Sequence, residues 1–205
     1  MKLTHGILAL LIVTNMLYGC APVVIGGAVA GTAVVANSRR SPGSLVDDET
    51  IEVKARLAII ENKELNSQVH VEITSYDGIV LLTGEAPTAQ LRTEVENLVR
   101  KIPELENLIR ENPAISRIHN EITIAAPSSF MTRTSDSLVT AKVKTELLGI
   151  TDIKGFNGTR VKVVTENGTV YLMGLLTHKE ADAVTEKARQ VGGVQRVVKL
   201  FEYID

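Results

Sequence analysis

The chain has 205 residues, 44% hydrophobic and 22% charged, which is the composition of a globular protein and enough chain for one ordinary domain or two small ones. Aromatic residues make up 3%, Trp is absent and the net charge is −2, so the sequence offers neither ring platforms for single-stranded nucleic acid nor the basic footprint of a nucleic-acid binder. The charge is uneven: residues 48–126 carry a net −6 and residues 127–205 a net +2. The C-terminal half is therefore the better candidate to meet an anionic surface, ordinary variation between domains being the other account.

Lys2 opens the chain, residues 7–17 form an apolar run, and Gly19 precedes Cys20, the single cysteine. The run is far shorter than the roughly 20 residues of a spanning helix, so residues 1–19 read as a secretory signal peptide. A lone cysteine cannot form an internal disulfide. Ending on Leu17-Tyr18-Gly19-Cys20, the segment resembles a bacterial lipobox. The resemblance implies cleavage after Gly19, diacylglycerol on the Cys20 sulfur and a further acyl chain on the new amino terminus, with no other cofactor. Two or more acyl chains anchor stably. Ala21 follows where bacterial lipoproteins retained in the inner membrane tend to carry aspartate, which implies the outer membrane with the body in the periplasm. Residues 23–36, rich in Val, Ala and Gly, read as a tether near the headgroups. Arg39 and Arg40 with Pro42-Gly43 read as solvated linker, so that residues 20–47 precede the first domain.

An internal repeat organises the rest. Asp48 aligns with Asp136 and Lys54 with Lys142 at an offset of 88, whereas Asp77-Gly78 aligns with Asn167-Gly168 and Gly84 with Gly174 at an offset of 90. Ile115-Ser116-Arg117-Ile118 aligns with Val194-Gln195-Arg196-Val197 at 79, so the first repeat carries about 11 extra residues around 103–112. Each unit opens with a short helix, at 48–60 and 136–148, whose acidic first residue suits a cap. Alternating strands follow at 69–73 and 161–163. Asp77-Gly78 and Asn167-Gly168 are hairpin turns with positive φ, leading to return strands at 79–83 and 169–173. A second helix covers 89–102 and 179–191, and a last strand 117–124 and 196–203. Pro103 breaks or kinks the first of these helices, and the extra residues lengthen it or its exit loop. The units are residues 48–126 and 135–205, joined by a linker at 127–134. The fold class is α+β, each unit αββαβ with two helices on a three-stranded sheet.

With Asn-Gly-Thr-Val-Tyr-Leu-Met-Gly-Leu at 167–175 and Val-Gly-Gly-Val-Gln-Arg-Val at 191–197, the two repeats resemble tandem BON domains. A lipobox, a Val/Ala/Gly-rich start and two such domains are similar to the dual-BON outer-membrane lipoproteins of bacteria. The resemblance implies a lipid-anchored periplasmic protein that binds anionic phospholipid of the inner leaflet, supports outer-membrane integrity and gathers at division sites. It places the lipid contact on the opening helix of the second repeat. The extra residues of repeat one depart from the family pattern.

On that helix, at 100° per residue, Val139, Val143 and Leu147 share the core face, as Ile51, Ala55 and Ile59 do in repeat one. Leu138, Lys142 and Thr145 lie opposite, with Lys144 nearby. An exposed apolar residue ringed by lysines suits an anionic membrane. The candidate lipid contacts are Asp136, Ser137, Leu138, Ala141, Lys142, Lys144, Thr145 and Leu148. The residues alone leave open that Leu138 packs on the other repeat or staples the helix start. The resemblance favours lipid, although the family position is often aromatic and a leucine lacks the interfacial preference of a ring.

No catalytic set is legible, and the chain does not read as an enzyme. His5 lies in the signal segment, and His70, His119 and His178 have no metal-ligand spacing. Asp47-Asp48-Glu49 reads as helix capping, with a weak cation site as the alternative. Three function classes remain: a lipid-binding module, an adaptor for envelope-assembly proteins that uses a strand edge or the extra segment, and an enzyme, which almost nothing in the sequence supports.

Overall fold

Ser41 accepts a hydrogen bond from the Ser44 N–H and Pro42 follows at the first helical position, an arrangement that starts a helix without wasting a donor. The computed structural model describes residues 38–111, 113 and 117–205; the lipobox, Cys20 and the Val/Ala/Gly-rich segment lie outside them. Helix α1 therefore spans Pro42–Glu61, six residues earlier than the sequence reading placed it. Its twin in the second repeat, introduced below as α5, starts the same way at Ser129, 88 residues on. Residues 42–47 and 130–134 are thus helical rather than tether and linker.

In the first domain α1 is followed by a short α2 (Lys63–Gln68), capped by Asn62 and seated by the buried Leu65. Strands β1 (His70–Tyr76) and β2 (Ile79–Ala86) form the hairpin. Helix α3 (Ala89–Arg100) follows, and the extra segment forms a separate helix, α4 (Pro103–Glu111). Pro103 opens that helix instead of breaking one, and Leu105 anchors it in the core at 0% exposure. The closing strand expected over 117–124 is divided into β3 (Arg117–Asn120) and β4 (Thr123–Ile124), between which Ile122 turns into the core.

The second domain repeats the plan with fewer parts. Helix α5 (Phe130–Leu148) leads through a 3₁₀ turn at Gly158–Arg160 to β5 (Lys162–Glu166) and β6 (Thr169–Leu176). Helix α6 (His178–Arg189) begins with a full capping box between Thr177 and Glu180, and β7 (Arg196–Tyr203) closes the unit. In each sheet the middle strand, β2 or β6, pairs antiparallel with its hairpin partner and parallel with the last strand.

Both turns have the positive φ that the sequence demanded: 52° and 81° at Asp77-Gly78, 47° and 71° at Asn167-Gly168. The aspartates expected to cap helices brace these turns instead. Asp48 accepts from the Asp77 N–H (2.8 Å), the Gly78 N–H (3.3 Å) and the Ser75 hydroxyl (2.7 Å). Asp136 accepts from the Asn167 N–H (2.8 Å) and the Gly168 N–H (2.9 Å). The cap reading fails because both residues lie well inside their helices, on the face turned to the sheet. Gly84 has φ of 108° and is locked by crowding, since a Cβ there would lie 2.0 Å from the His70 carbonyl oxygen.

Each domain buries helix side chains against one face of its sheet. Ile51, Ala55, Ile73, Val80 and Leu82 meet in the first core; Val139, Val143, Val163, Val170 and Leu172 meet in the second. The strands are apolar on their other face as well. Tyr76, Ile79 and Leu81 pack there against Tyr171, Met173, Leu175 and Leu200, so the two sheets stand back to back and the helices form the outer layers. The Tyr76 hydroxyl donates to the Arg160 carbonyl across this interface (2.8 Å).

The two arginines read as solvated linker are structural. Arg39 clamps Glu180 of α6 through two bonds of 2.6 and 2.7 Å and donates to the Leu175 carbonyl (2.9 Å). Arg40 pairs with Asp48 at 2.8 Å while its guanidinium lies 4.1 Å over the Tyr76 ring.

Candidate functional site

Helix α5 places its side chains on two opposed faces. Val139, Val143 and Leu147 are buried at 4, 0 and 0% exposure. On the outside Leu138 is 59% exposed and Leu148 57%, and Ser137, Ala141, Lys142, Lys144 and Thr145 are exposed with them. Seven of the eight expected contact residues thus share the solvent side of one helix. The eighth, Asp136, is corrected: it is buried, and both carboxylate oxygens are occupied by the turn at Asn167-Gly168, so it cannot face a membrane. It sits one turn before Val139 and Thr140, on the sheet side.

The chemistry of the outer face is apolar and cationic. Thr145 donates its hydroxyl to the Ala141 carbonyl (2.9 Å) and Ser137 donates to the Arg133 carbonyl (3.0 Å), so these polar groups are satisfied by their own helix. The nearest carboxylate on the rim, Glu146, lies 3.8 Å from Lys187 of α6. Leu138 is mostly exposed and belongs to none of the three buried clusters. Two members were missed because the helix was started too late. Met131, seven residues before Leu138 on the same line, is 80% exposed, and Arg133 is exposed beside it, 3.4 Å from the His70 ring. The signal was Ser129, which matches the cap at Ser41 at the established offset.

A second feature lies at the edge between the sheets, a groove of about 350 Å³ lined by His70, Glu72, Asp136, Thr140, Lys162 and Glu166. Glu85 of β2, 2% exposed, accepts from the Asn167 side chain (2.8 Å) and the Ser128 N–H (3.1 Å). Burial, then the neighbouring carboxylates of Glu85 and Asp136, pushes the Glu166 carboxyl up to about 7. The arrangement holds a proton near neutrality. The three described histidines stand apart: His70 near Arg133, His119 on β3, and His178 stacked on Tyr203 at 4.0 Å and 2.8 Å from Asp205. Burial lowers the His119 pKa. Among the described residues no group of three His, Cys, Asp or Glu has the geometry of a metal site, and no helix is long and apolar enough to cross a membrane.

Two sheets of this topology, each with a braced hairpin and helices on one side, define the class: the BON domain matches residues 47–126 and 135–205, and the chain belongs to that family, with two copies of its domain. Among curated proteins it is similar to Outer membrane lipoprotein DolP of Haemophilus influenzae, 33% identical over 192 residues that cover 94% of this chain and 92% of that protein. It is also similar to the 21 kDa hemolysin of Actinobacillus pleuropneumoniae, 33% identical over 165 residues, with coverage of 80% and 78%. Among solved structures the C-terminal domain of CdsD, a structural protein of the Chlamydia trachomatis type III secretion system, matches with a TM-score of 0.28 and 17% identity over 77% of this chain and 67% of that one.

Proposed function

We propose that the chain is an outer-membrane-anchored periplasmic lipoprotein that binds anionic phospholipid through the outer face of α5 and so supports outer-membrane integrity, including at sites of division. The lipobox at Cys20 and the likeness to an outer membrane lipoprotein along nearly the whole chain support the anchoring. One observation carries the lipid reading: the exposed Leu138 and Leu148 share the outer side of α5 with the exposed Lys142 and Lys144. The leucines enter the acyl boundary while the ammonium groups meet phosphate. Each leucine contributes roughly 1.5–3 kcal/mol on full burial and each near-surface lysine about 1 kcal/mol. That sum orients a body already tethered by Cys20 and gives an untethered one weak, reversible binding that concentrated vesicles reveal.

The test is flotation of the Cys20→Ser chain with vesicles of anionic or zwitterionic lipid. The wild-type face should float with the anionic vesicles and release at high salt. Leu138→Glu should abolish flotation without altering the circular dichroism, and Lys142→Glu with Lys144→Glu should weaken it and flatten its salt dependence. Undiminished binding by Leu138→Glu would move the site elsewhere. No binding to either vesicle would favour a protein adaptor for envelope assembly.

A further inference from the structure

Helix α1 is apolar on a side that its own domain does not use. Its inner residues Ile51, Ala55 and Ile59 fill the core, yet Val46, Val53, Leu57 and Ile60 on the opposite side are 64, 48, 50 and 51% exposed. With Thr50 they recur at spacings of four, three, four and three residues, which is the a/d seam of a helix that pairs with another helix. If Thr50 and Leu57 are a positions and Val46, Val53 and Ile60 are d positions, the flanking e positions are Asp47, Lys54 and Glu61 and the g positions are Glu49 and Arg56.

Those flanks choose the occupant. In an antiparallel pair of identical helices Glu49 meets Arg56 and Asp47 meets Lys54. In a parallel pair Glu49 meets Lys54 and Arg56 meets Glu61. Each contact joins opposite charges, so the face is complementary to itself in both directions. Lys54 now pairs with Glu104, and Arg56 with Glu72 at 2.9 Å; both are exposed pairs that exchange at little cost. The duplicated face on α5 makes the contrast. Where α1 carries Asp47, Glu49, Lys54, Arg56 and Glu61, α5 carries Ser135, Ser137, Lys142, Lys144 and Gly149. That set is cationic only and would repel its own copy, whereas the three carboxylates beside the α1 seam are unsuited to anionic lipid.

We infer that the outer face of α1 is a self-association surface, on which a second copy of this chain lays its own α1 helix against helix. The seam spans about two heptads, so the pairing is weak and depends on concentration.

Sedimentation equilibrium of the full chain in density-matched detergent tests this. The wild type should pass from monomer to dimer as concentration rises. Leu57→Glu, at an exposed position that spares the fold, should raise the dissociation constant about tenfold or more. Glu49→Lys should weaken the dimer too. A second charge change should then restore it: Arg56→Glu if the helices are antiparallel, Lys54→Glu if they are parallel. A chain that stays monomeric overturns the inference. So does a dimer that Leu57→Glu leaves intact, since other segments then hold it. Rescue by neither charge pair also overturns it, because the face is then covered by something other than its own copy.

Discussion

Replacing Asp48 by alanine would remove the acceptor that holds the first hairpin turn. Asp48 is 4% exposed and takes four donors: the Asp77 and Gly78 N–H groups, the Ser75 hydroxyl and the Arg40 guanidinium. The Gly78 N–H is buried and has no other acceptor, and leaving such a donor unpaired costs about 1–3 kcal/mol. The Asp77 N–H is near the surface and recruits water at smaller cost, and the Ser75 hydroxyl can rotate. Arg40, 17% exposed, loses its counter-charge but keeps the face of Tyr76. The sum is about 3–5 kcal/mol, the range for removing one partner of a buried ion pair. Asp136, with two turn N–H groups and no arginine, should cost about 2–3 kcal/mol when changed to alanine. For a folded body of this size 1 kcal/mol moves the melting temperature by about 2–4 °C, so Asp48→Ala should lower it by roughly 6–20 °C and Asp136→Ala by less. Thermal melts of the Cys20→Ser chain followed by circular dichroism measure both. Equal losses would refute the contribution of Arg40 and Ser75, and a shift under about 2 °C in either variant would refute the brace itself.

Other outcomes follow from single features. Gly84→Ala should cost roughly 3 kcal/mol or more in urea denaturation, because the new methyl meets the His70 carbonyl and φ is positive. Arg39→Ala strips the clamp from the buried Glu180 carboxylate and should cost about 1–3 kcal/mol, with Arg39→Lys recovering only part because an ammonium cannot bridge both oxygens. Glu166 titrates near 7 in the folded chain against 4.5 when unfolded. Its carboxyl is protonated in both states below 4.5, and as pH rises through 7 the folded state must ionise it among Glu85 and Asp136, so this contribution to stability is lost between those values. Melting curves of Glu166→Gln should coincide with wild type at about pH 4 and rise above it by about pH 8; parallel curves would refute the assignment.

Much of this fold was legible because duplication prints each element twice. The turns at Asp77-Gly78 and Asn167-Gly168 and the inner stripes of α1 and α5 were recovered from offset and period alone. The helix starts were misplaced because Asp48 and Asp136 look like caps, whereas Ser41 and Ser129 do that work a turn or more upstream. Pro103 was read as a break because proline stops a helix from within, yet at the first position it opens one. The six-residue α2 was too short to leave a period. The back-to-back sheets were missed although residues 79–82 of β2 and 170–173 of β6 are unbroken apolar runs, the mark of strands covered on both faces. The clamp of Arg39 on Glu180 joins residues 141 apart and has no local signature. At the site, the wheel put Leu138 and Lys142 outside, as they are; Asp136 was included by proximity in sequence, and its orientation toward the sheet excludes it.

Stacking two sheets by their backs gives the body of residues 38–205 an obverse and a reverse, each a layer of helices. The helical layer of each domain becomes one side, with α5 on the obverse and α1 on the reverse. A flat bilayer can lie against only one side at a time. A body resting on lipid through α5 therefore displays α1 to the aqueous gap, and two such bodies joined reverse to reverse carry their obverse sides outward. A pair of that kind grips two lipid sheets rather than one, and would clump anionic vesicles where a single copy merely coats them.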